Sequence, residues 1–268
     1  MKKAFITGGA GGLGLTIAEA LEKEGWLVFA ADLNKENLDK IEKENIIPII
    51  MDVTNEESVN KAYKTVADKT DTLDAVLNFA GITFMDSLIE GDINRFKKLM
   101  DINLFGTVRT NQVFFPLIER GNGRIINISS EMGWMSVAPF TGAYSASKYA
   151  LEAYNDALRR ELNFLNIKVI NFQLGSFKTN MHKSSEDSFN ELKEKTKLYK
   201  RPVSKMGKTM KREFKNANDP KYLIDAILDA LNSDKPKTNY RIKNSPQLTF
   251  ISKLPESTID KIYKKNLS

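Results

Sequence analysis

The sequence has no cysteine and a single histidine, His182. These absences exclude a disulfide framework, a thiolate metal site, a thiol nucleophile and a multi-histidine centre, so no metal is expected. No apolar run approaches the roughly 18–20 residues needed to cross a bilayer, and no integral membrane segment is expected. Met1-Lys2-Lys3 begins like a signal peptide, but the stretch that follows turns glycine-rich at once and offers no small-residue cleavage site. A cytoplasmic location is therefore expected. Zinc-finger spacing and an RNA-binding aromatic signature are also missing, and no nucleic-acid partner is expected.

What is present fits a globular chain with a sizeable core: 268 residues, 41% hydrophobic and 28% charged. The formal charge of +6 is unevenly spread, because residues 183–215 hold eleven Lys/Arg against five Asp/Glu and residues 241–268 hold six against two. Lysine-rich amphipathic segments of this kind read first as solvated helix faces, and second as contacts to an anionic membrane surface.

Short, nearly continuous apolar runs alternate with helical patterns up to about residue 175. The runs are Ala4–Thr7, Leu27–Ala31, Ile46–Met51, Leu73–Asn78, Arg124–Ser129 and Lys168–Phe172. Runs without polar alternation read as strands buried on both faces. The helical stretches between them include Leu13–Glu24, Lys35–Glu44 and Glu56–Lys69, the last with a capping box Thr54-x-x-Glu57. This order predicts an α/β fold, a parallel sheet with helices on both faces, in one domain over residues 1–268. A polar, lysine-rich excursion at about 179–218 reads as a substrate lid. Beyond it the pattern predicts a helix near Pro220–Leu231, a strand near Tyr240, and a basic tail at about 241–268 with a last helix near Pro255–Lys265.

Directly after the first strand stands Thr7-Gly8-Gly9-Ala10-Gly11-Gly12-Leu13-Gly14, which then opens a helix. Glycines allow the backbone N–H groups to approach a pyrophosphate, and the helix N-terminus points positive charge at the same anion. Asp32, eighteen residues past Gly14, would close the second strand with a carboxylate for the adenosine ribose hydroxyls. Such a carboxylate repels a 2′-phosphate, so NAD is favoured, while Lys35 leaves NADP possible. Asp52-Val53 and Asn78-Phe79-Ala80-Gly81 follow the third and fourth strands, where ligands bind in open α/β sheets.

Tyr144 and Lys148 lie four apart and share one helix face. An ammonium one turn away is expected to lower a tyrosine pKa from its ordinary value near ~10 and make it a proton carrier. Small neighbours, Gly142 to Ser147, would let a cofactor lie close. Ser130 ends the fifth strand and can donate to a substrate oxygen, with Ser129 the less favoured alternative. Asn103 shares an apolar helix face with Ile93, Phe96, Met100 and Thr107, so its amide needs partners or holds a water.

Taken together, Thr7-Gly8-x-x-x-Gly12-x-Gly14, Asn78-x-Ala80-Gly81, Asn103, Ser130, Tyr144 and Lys148 resemble the short-chain dehydrogenases/reductases of the Tyr-x-x-x-Lys type, across almost the whole chain. The resemblance implies a Rossmann-type doubly wound sheet of about seven strands and a homodimer or homotetramer formed partly by the helices carrying Asn103 and Tyr144. It also implies roles: Tyr144 as general acid/base, Ser130 orienting the carbonyl or alcohol, Lys148 on the nicotinamide ribose, Asn103 in a water relay, and Thr179 on the carboxamide within Gly175-Ser176-Phe177-Lys178-Thr179. Two positions depart from the pattern, Phe79 for a second asparagine and Leu174 for a proline. Lys148–Ala153, Leu158–Leu162, Phe177–Met181 and the basic tail are similar to the retinol and hydroxysteroid dehydrogenase branch. The implied substrate is a bulky apolar secondary alcohol or ketone, such as a steroid, bile acid or retinoid, with Trp134, Phe140 and Met181 in its pocket. Alternatives are an NADPH-linked reductase of 3-oxoacyl or other small ketones, and a non-catalytic dinucleotide sensor. His182 is read as a surface residue.

Overall fold

Seven apolar segments pair into one sheet: β1 (Lys3–Thr7), β2 (Leu27–Asp32), β3 (Ile46–Ile50), β4 (Ala75–Asn78), β5 (Arg124–Ser130), β6 (Lys168–Leu174) and β7 (Asn239–Ile242). In the computed structural model their order is β3-β2-β1-β4-β5-β6-β7, and every pairing is parallel. The structure describes all residues except Asn180 and Asn216, and residues 208–215 through their helical backbone alone. The strand order reverses between β1 and β4, and a reversal of this kind opens a crevice at the carboxyl ends of the strands.

A sheet of purely parallel strands must be covered on both faces, and two separate clusters do this. On one face Ile6, Val28, Leu77 and Phe172 meet Ile17 and Leu21 of α1 (Gly12–Lys23) and Leu223 and Ile227 of α9 (Lys221–Asn232). On the other, Phe5, Phe29, Val76 and Ile125 meet α3 (Glu56–Ala67), α5 (Gly106–Gly121) and α6 (Gly142–Asn163) through Val59, Phe114 and Leu162. The expected fold class is therefore the observed one.

Several local expectations need correction. The helix expected over Lys35–Glu44 is only the single turn α2 (Lys35–Leu38), capped by Asn34, after which the chain turns back towards β3. The cap of α3 is Asn55, whose side chain accepts from Ser58 N at 2.9 Å; Thr54 instead donates its hydroxyl to Asp52. The helix carrying Asn103 is not one straight face. A π turn over Asp101–Phe105 joins α4 (Ile93–Met100) to α5, and its extra residue rotates Asn103 inward while Ile93 stays 60% exposed. The excursion after β6 contains two helices, α7 (Met181–Lys195) and α8 (Lys200–Lys215), although Asn180 and Asn216 lie outside the described residues. A short helix α10 (Pro246–Ile251) precedes the expected last helix α11 (Glu256–Leu267).

Phe114 is fully buried and stacks on Phe5 with ring centroids 3.9 Å apart, which seats α5 against the sheet. Phe114→Ala should destabilise the fold by about 3–5 kcal/mol, measured by urea unfolding. A loss below about 1 kcal/mol would show that α5 is held by other contacts.

Candidate functional site

The turn after β1 is built by close approach. Gly8 has a φ of +66°, and a Cβ there would come within 2.9 Å of Ala80 N at the end of β4. A Cβ on Gly14 would stand 2.1 Å from the Gly8 carbonyl oxygen, so the first turn of α1 folds over the loop only because both are glycine. Thr7 Oγ1 accepts from Ala80 N at 3.1 Å and fastens the two strand ends together. No side chain caps α1, whose first N–H groups, at Gly12, Leu13 and Gly14, lie at the open end of the turn.

Asp32 ends β2 beside this turn. Its carboxylate accepts from Ala10 N at 3.2 Å and Asn34 N at 2.9 Å, tying the glycine turn to the loop after β2. A cleft of about 390 Å³ opens alongside, lined by Gly11, Gly12, Leu15, Asn37 and Ile41 among others. Asp52 folds back on Thr54, and Val53 is buried against Gly106. Asn78 is buried and donates its amide to Asn111 and Asn127 at 2.7 and 2.8 Å, while Gly81 lies against the Asn103 amide. A phosphate-bearing dinucleotide fits this cradle: bare backbone at the turn, uncapped helix N–H groups, and a carboxylate at the end of β2.

The second group converges on α6. Ser130 Oγ donates to the Leu174 carbonyl at 3.4 Å and accepts from Met132 N at 3.2 Å, and it lies close enough to the Tyr144 phenol to oppose the rise in its pKa. Ser129, on the opposite side of the strand, is buried beneath Gly133 and lacks a partner for its hydroxyl, so Ser130 is the serine placed beside Tyr144. Lys148 is buried, donates to the Ile128 carbonyl at 2.9 Å, and holds its ammonium 5.7 Å from the Tyr144 ring centre. Asn103 is almost fully spent: Oδ1 accepts from Ile82 N at 2.8 Å, and Nδ2 donates to the Ile82 carbonyl and to Ser147 Oγ at 2.9 and 3.1 Å.

The expected lowering of the tyrosine pKa is not what the isolated protein shows. Burial pushes the Tyr144 phenol up to about 12, the nearby Ser130 hydroxyl opposes this, and the Glu131 charge adds to it. Burial also brings Lys148 down to about 8, with Glu152 opposing the shift. The amine faces the ring and the Ile128 carbonyl, and the phenol stays protonated at neutral pH.

Around this centre Gly175 lies under Lys243, with its N–H donating to the Ile242 carbonyl. The Phe177 side chain is buried in the core with Phe172 and Tyr240 rather than in the open crevice. Thr179 faces Gly12 across the mouth of the glycine turn. Phe140, at a φ of +66°, packs edge-on against Tyr199 and joins Met85, Phe189 and Val203 beneath α7 and α8. Met181 is the half-buried first residue of α7, and Trp134 is stacked by the Arg241 guanidinium at 3.9 Å. His182, expected at the surface, is half-buried and lies 3.2 Å from Ser176 Oγ. Sequence reasoning missed Glu152, Gln173 and the asparagines 111, 127, 155 and 171, all hydrogen-bonded beneath the site. Their signal was polar side chains interrupting apolar strands and the inner face of α6.

A family profile described as short chain dehydrogenase matches residues 2–189. The chain is 30% identical to the mitochondrial D-beta-hydroxybutyrate dehydrogenase of Mus musculus over 98% of this chain and 83% of that protein. It is 31% identical to retinol dehydrogenase 7 of Rattus norvegicus over 89% and 80%. Among solved structures, a short chain dehydrogenase from Burkholderia cenocepacia in complex with NADP superposes with a TM-score of 0.74 at 23% identity, covering 100% of both chains. A 3-ketoacyl-(acyl-carrier-protein) reductase from Brucella melitensis complexed with NADH gives a TM-score of 0.74 at 17% identity, covering 90% of this chain and 96% of that one.

Gly14→Ala should lower the melting temperature and weaken dinucleotide binding at least about tenfold, read by isothermal titration calorimetry. Unchanged affinity and melting temperature would show that the turn tolerates a side chain there.

Proposed function

Because the chain belongs to the short-chain dehydrogenase family, NAD(P)-dependent oxidoreductases acting on CH–OH groups, we propose that it interconverts a bulky apolar secondary alcohol and its ketone using NAD(H). The observation that carries this reading is that Ser130, Tyr144 and Lys148 converge at the carboxyl end of β5, on the same edge of the sheet as the glycine turn after β1 and two strands from it. When bound, the dinucleotide supplies or takes the hydride and, in its oxidised form, brings a positive ring to the site.

The turn Gly8–Gly14 would hold the pyrophosphate, with Thr7, Leu13, Asp52, Val53, Asn78, Ala80 and Gly81 around the nucleotide and Gly175 and Thr179 at its nicotinamide end, where the core-buried Phe177 would contribute only its backbone. Asp32 would take the adenosine ribose and disfavour a 2′-phosphate. Lys35 is exposed, pairs with Asp39 at 2.6 Å, and is the residue that would favour NADP.

In ketone reduction the protonated Tyr144 phenol donates to the carbonyl oxygen while the Ser130 hydroxyl holds that oxygen in place. In alcohol oxidation the phenolate must form first, against its burial. Lys148, as an ammonium, offsets that negative charge and would meet the nicotinamide ribose. Asn103 fixes the Ile82 backbone at the edge of the site. Helices α7 and α8 would act as a lid, with Trp134, Phe140 and Met181 as apolar contacts to the substrate. A single domain and a cytoplasmic location complete this reading. A homodimer or homotetramer through the α4–α6 surface also belongs to it, supported by the exposed Ile93, Phe105 and Tyr149. Among the described residues no helix is long and apolar enough to cross a membrane.

Tyr144→Phe should lower kcat by at least about 10²-fold while dinucleotide affinity stays within about twofold; retained turnover would reject the mechanism. In steady-state assays from about pH 6 to 10, oxidation should rise with pH, because its phenolate forms from a group raised to about 12. Reduction should be level near neutrality and fall as Lys148 loses its proton near 8. A reduction rate that climbs through that range would contradict these assignments. Asp32→Ala should narrow the ratio of NAD to NADP efficiencies at least about tenfold; an unchanged ratio would place coenzyme choice elsewhere.

A further inference from the structure

One carboxylate near the site takes no part in the mechanism above. Glu152 stands one helical turn beyond Lys148 on the same face of α6, tucked against β6. Its Oε2 accepts from Asn171 Nδ2 and Gln173 Nε2, both at 2.7 Å, and its buried Oε1 has no hydrogen-bond partner.

The hydrogen-bond directions leading to it follow from chemistry. An ionised carboxylate only accepts, so Asn171 must present its Nδ2 and keep Oδ1 for Asn155 Nδ2, at 2.9 Å. Asn155 Oδ1 then takes Asn127 Nδ2 at 2.6 Å, and Asn127 Oδ1 takes the amides of Asn78 and Asn111 at 2.8 and 3.3 Å. Arginine only donates, so Arg241 Nε fixes Gln173 Oε1 at 3.0 Å and turns Gln173 Nε2 towards Glu152. A chain of amides from β4 and an arginine–glutamine pair from β7 end as donors on one anion. Amide dipoles aligned in series polarise one another in a low-dielectric interior.

We propose that Glu152 is a positioning residue whose fixed negative charge keeps Lys148 an ammonium beneath Tyr144. The other charged and titratable groups are accounted for element by element. On α6 the titratable groups next to Lys148 are Tyr144 and Tyr149, the latter donating to the Met135 carbonyl, and on β7 Arg241 is held by Gln173 and Trp134. Glu131, on the turn after β5, accepts from Ser245 N. On β5 and β6 the ionisable side chains are Arg124 and Lys168, which sit at the far ends of the strands and donate to the Ala230 and Asp234 carbonyls. On α4, Arg95 pairs with Asp86 and Glu191, while Lys97 and Lys98 are exposed. In the π turn, Asp101 pairs with Arg109. Lys148 donates to the carbonyl of Ile128, which is in register with Phe172, and the Glu152 carboxylate sits on Asn171 and Gln173 to either side of Phe172. This places its charge one strand from the ammonium, where it opposes the desolvation of Lys148.

This inference rests on the reading of Tyr144 and Lys148 as the proton-handling pair, but its first test is independent of turnover. The Lys148 titration is followed by NMR of the lysine Cε resonances in the dinucleotide-free protein, with the signal identified by its loss in Lys148→Met. Glu152→Gln is nearly isosteric and its carbonyl can still accept from Asn171 and Gln173. It should move the Lys148 midpoint down by about one pH unit or more, and the alkaline fall of ketone reduction by the same amount. A midpoint that stays in place, with kcat/KM reduced equally at every pH, would overturn the proposal and leave Glu152 a packing residue. If the Gln variant does not fold, Glu152→Ala removes the charge with less bulk and should move the midpoint in the same direction; no shift there is equally fatal. A shifted NMR midpoint in a protein without dehydrogenase activity would sustain the role of Glu152 and reject only the catalytic reading.

Discussion

The site depends on a lysine carried into the interior. Lys148 reaches the carboxyl end of β5 from the buried face of α6, where water cannot stabilise its charge, and the Ile128 carbonyl and the Glu152 carboxylate take over part of that task. The same burial acts on Tyr144 in the opposite sense, because desolvation disfavours a phenolate as it disfavours an ammonium. The isolated protein therefore holds a neutral phenol over a weakly held cation. That pairing favours proton donation, and it makes the phenolate form dependent on positive charge brought by a ligand.

The sheet sets this geometry by two kinds of close fit. At β1 the backbone of Gly14 rests on Gly8 and the end of β4 rests on Thr7, so the turn presents bare backbone to an approaching anion. Beneath α5 and α6 an asparagine recurs in register on β4, β5, β6 and β7, at Asn78, Asn127, Asn171 and Asn239. Buried amides are tolerable only when they satisfy one another. Here they tie the helices carrying Asn111 and Asn155 to the same layer of the sheet that supports Lys148.

The strands were legible because buried parallel strands need uninterrupted apolar residues, and the glycine turn because its chemistry is local. Ser130, Tyr144 and Lys148 were legible for a related reason, since strand ends and i,i+4 spacing survive translation into three dimensions. Other features depend on contacts far away in sequence. The π turn at Asp101–Phe105, which brings Asn103 inward, leaves no mark in a 3.6-residue pattern. The helices after β6 bury Phe189, Leu192 and Val203 against Met85 and Phe140, partners that no local pattern shows. The effect of Lys148 on Tyr144 was misjudged from spacing alone, because spacing gives proximity and does not give desolvation. Nothing in the local sequence separates Glu152 from an exposed glutamate on an amphipathic helix, because its partners Asn171 and Gln173 lie on β6.

Ultraviolet titration of the Tyr144 phenol, taken as the difference between wild type and Tyr144→Phe, tests the central claim most directly. The account predicts a midpoint near 12 in the free protein, a clear fall when oxidised dinucleotide is bound, and little change with the reduced form. A midpoint near the ordinary tyrosine value of about 10 in the free protein, or the same midpoint with both forms of the dinucleotide, would contradict it.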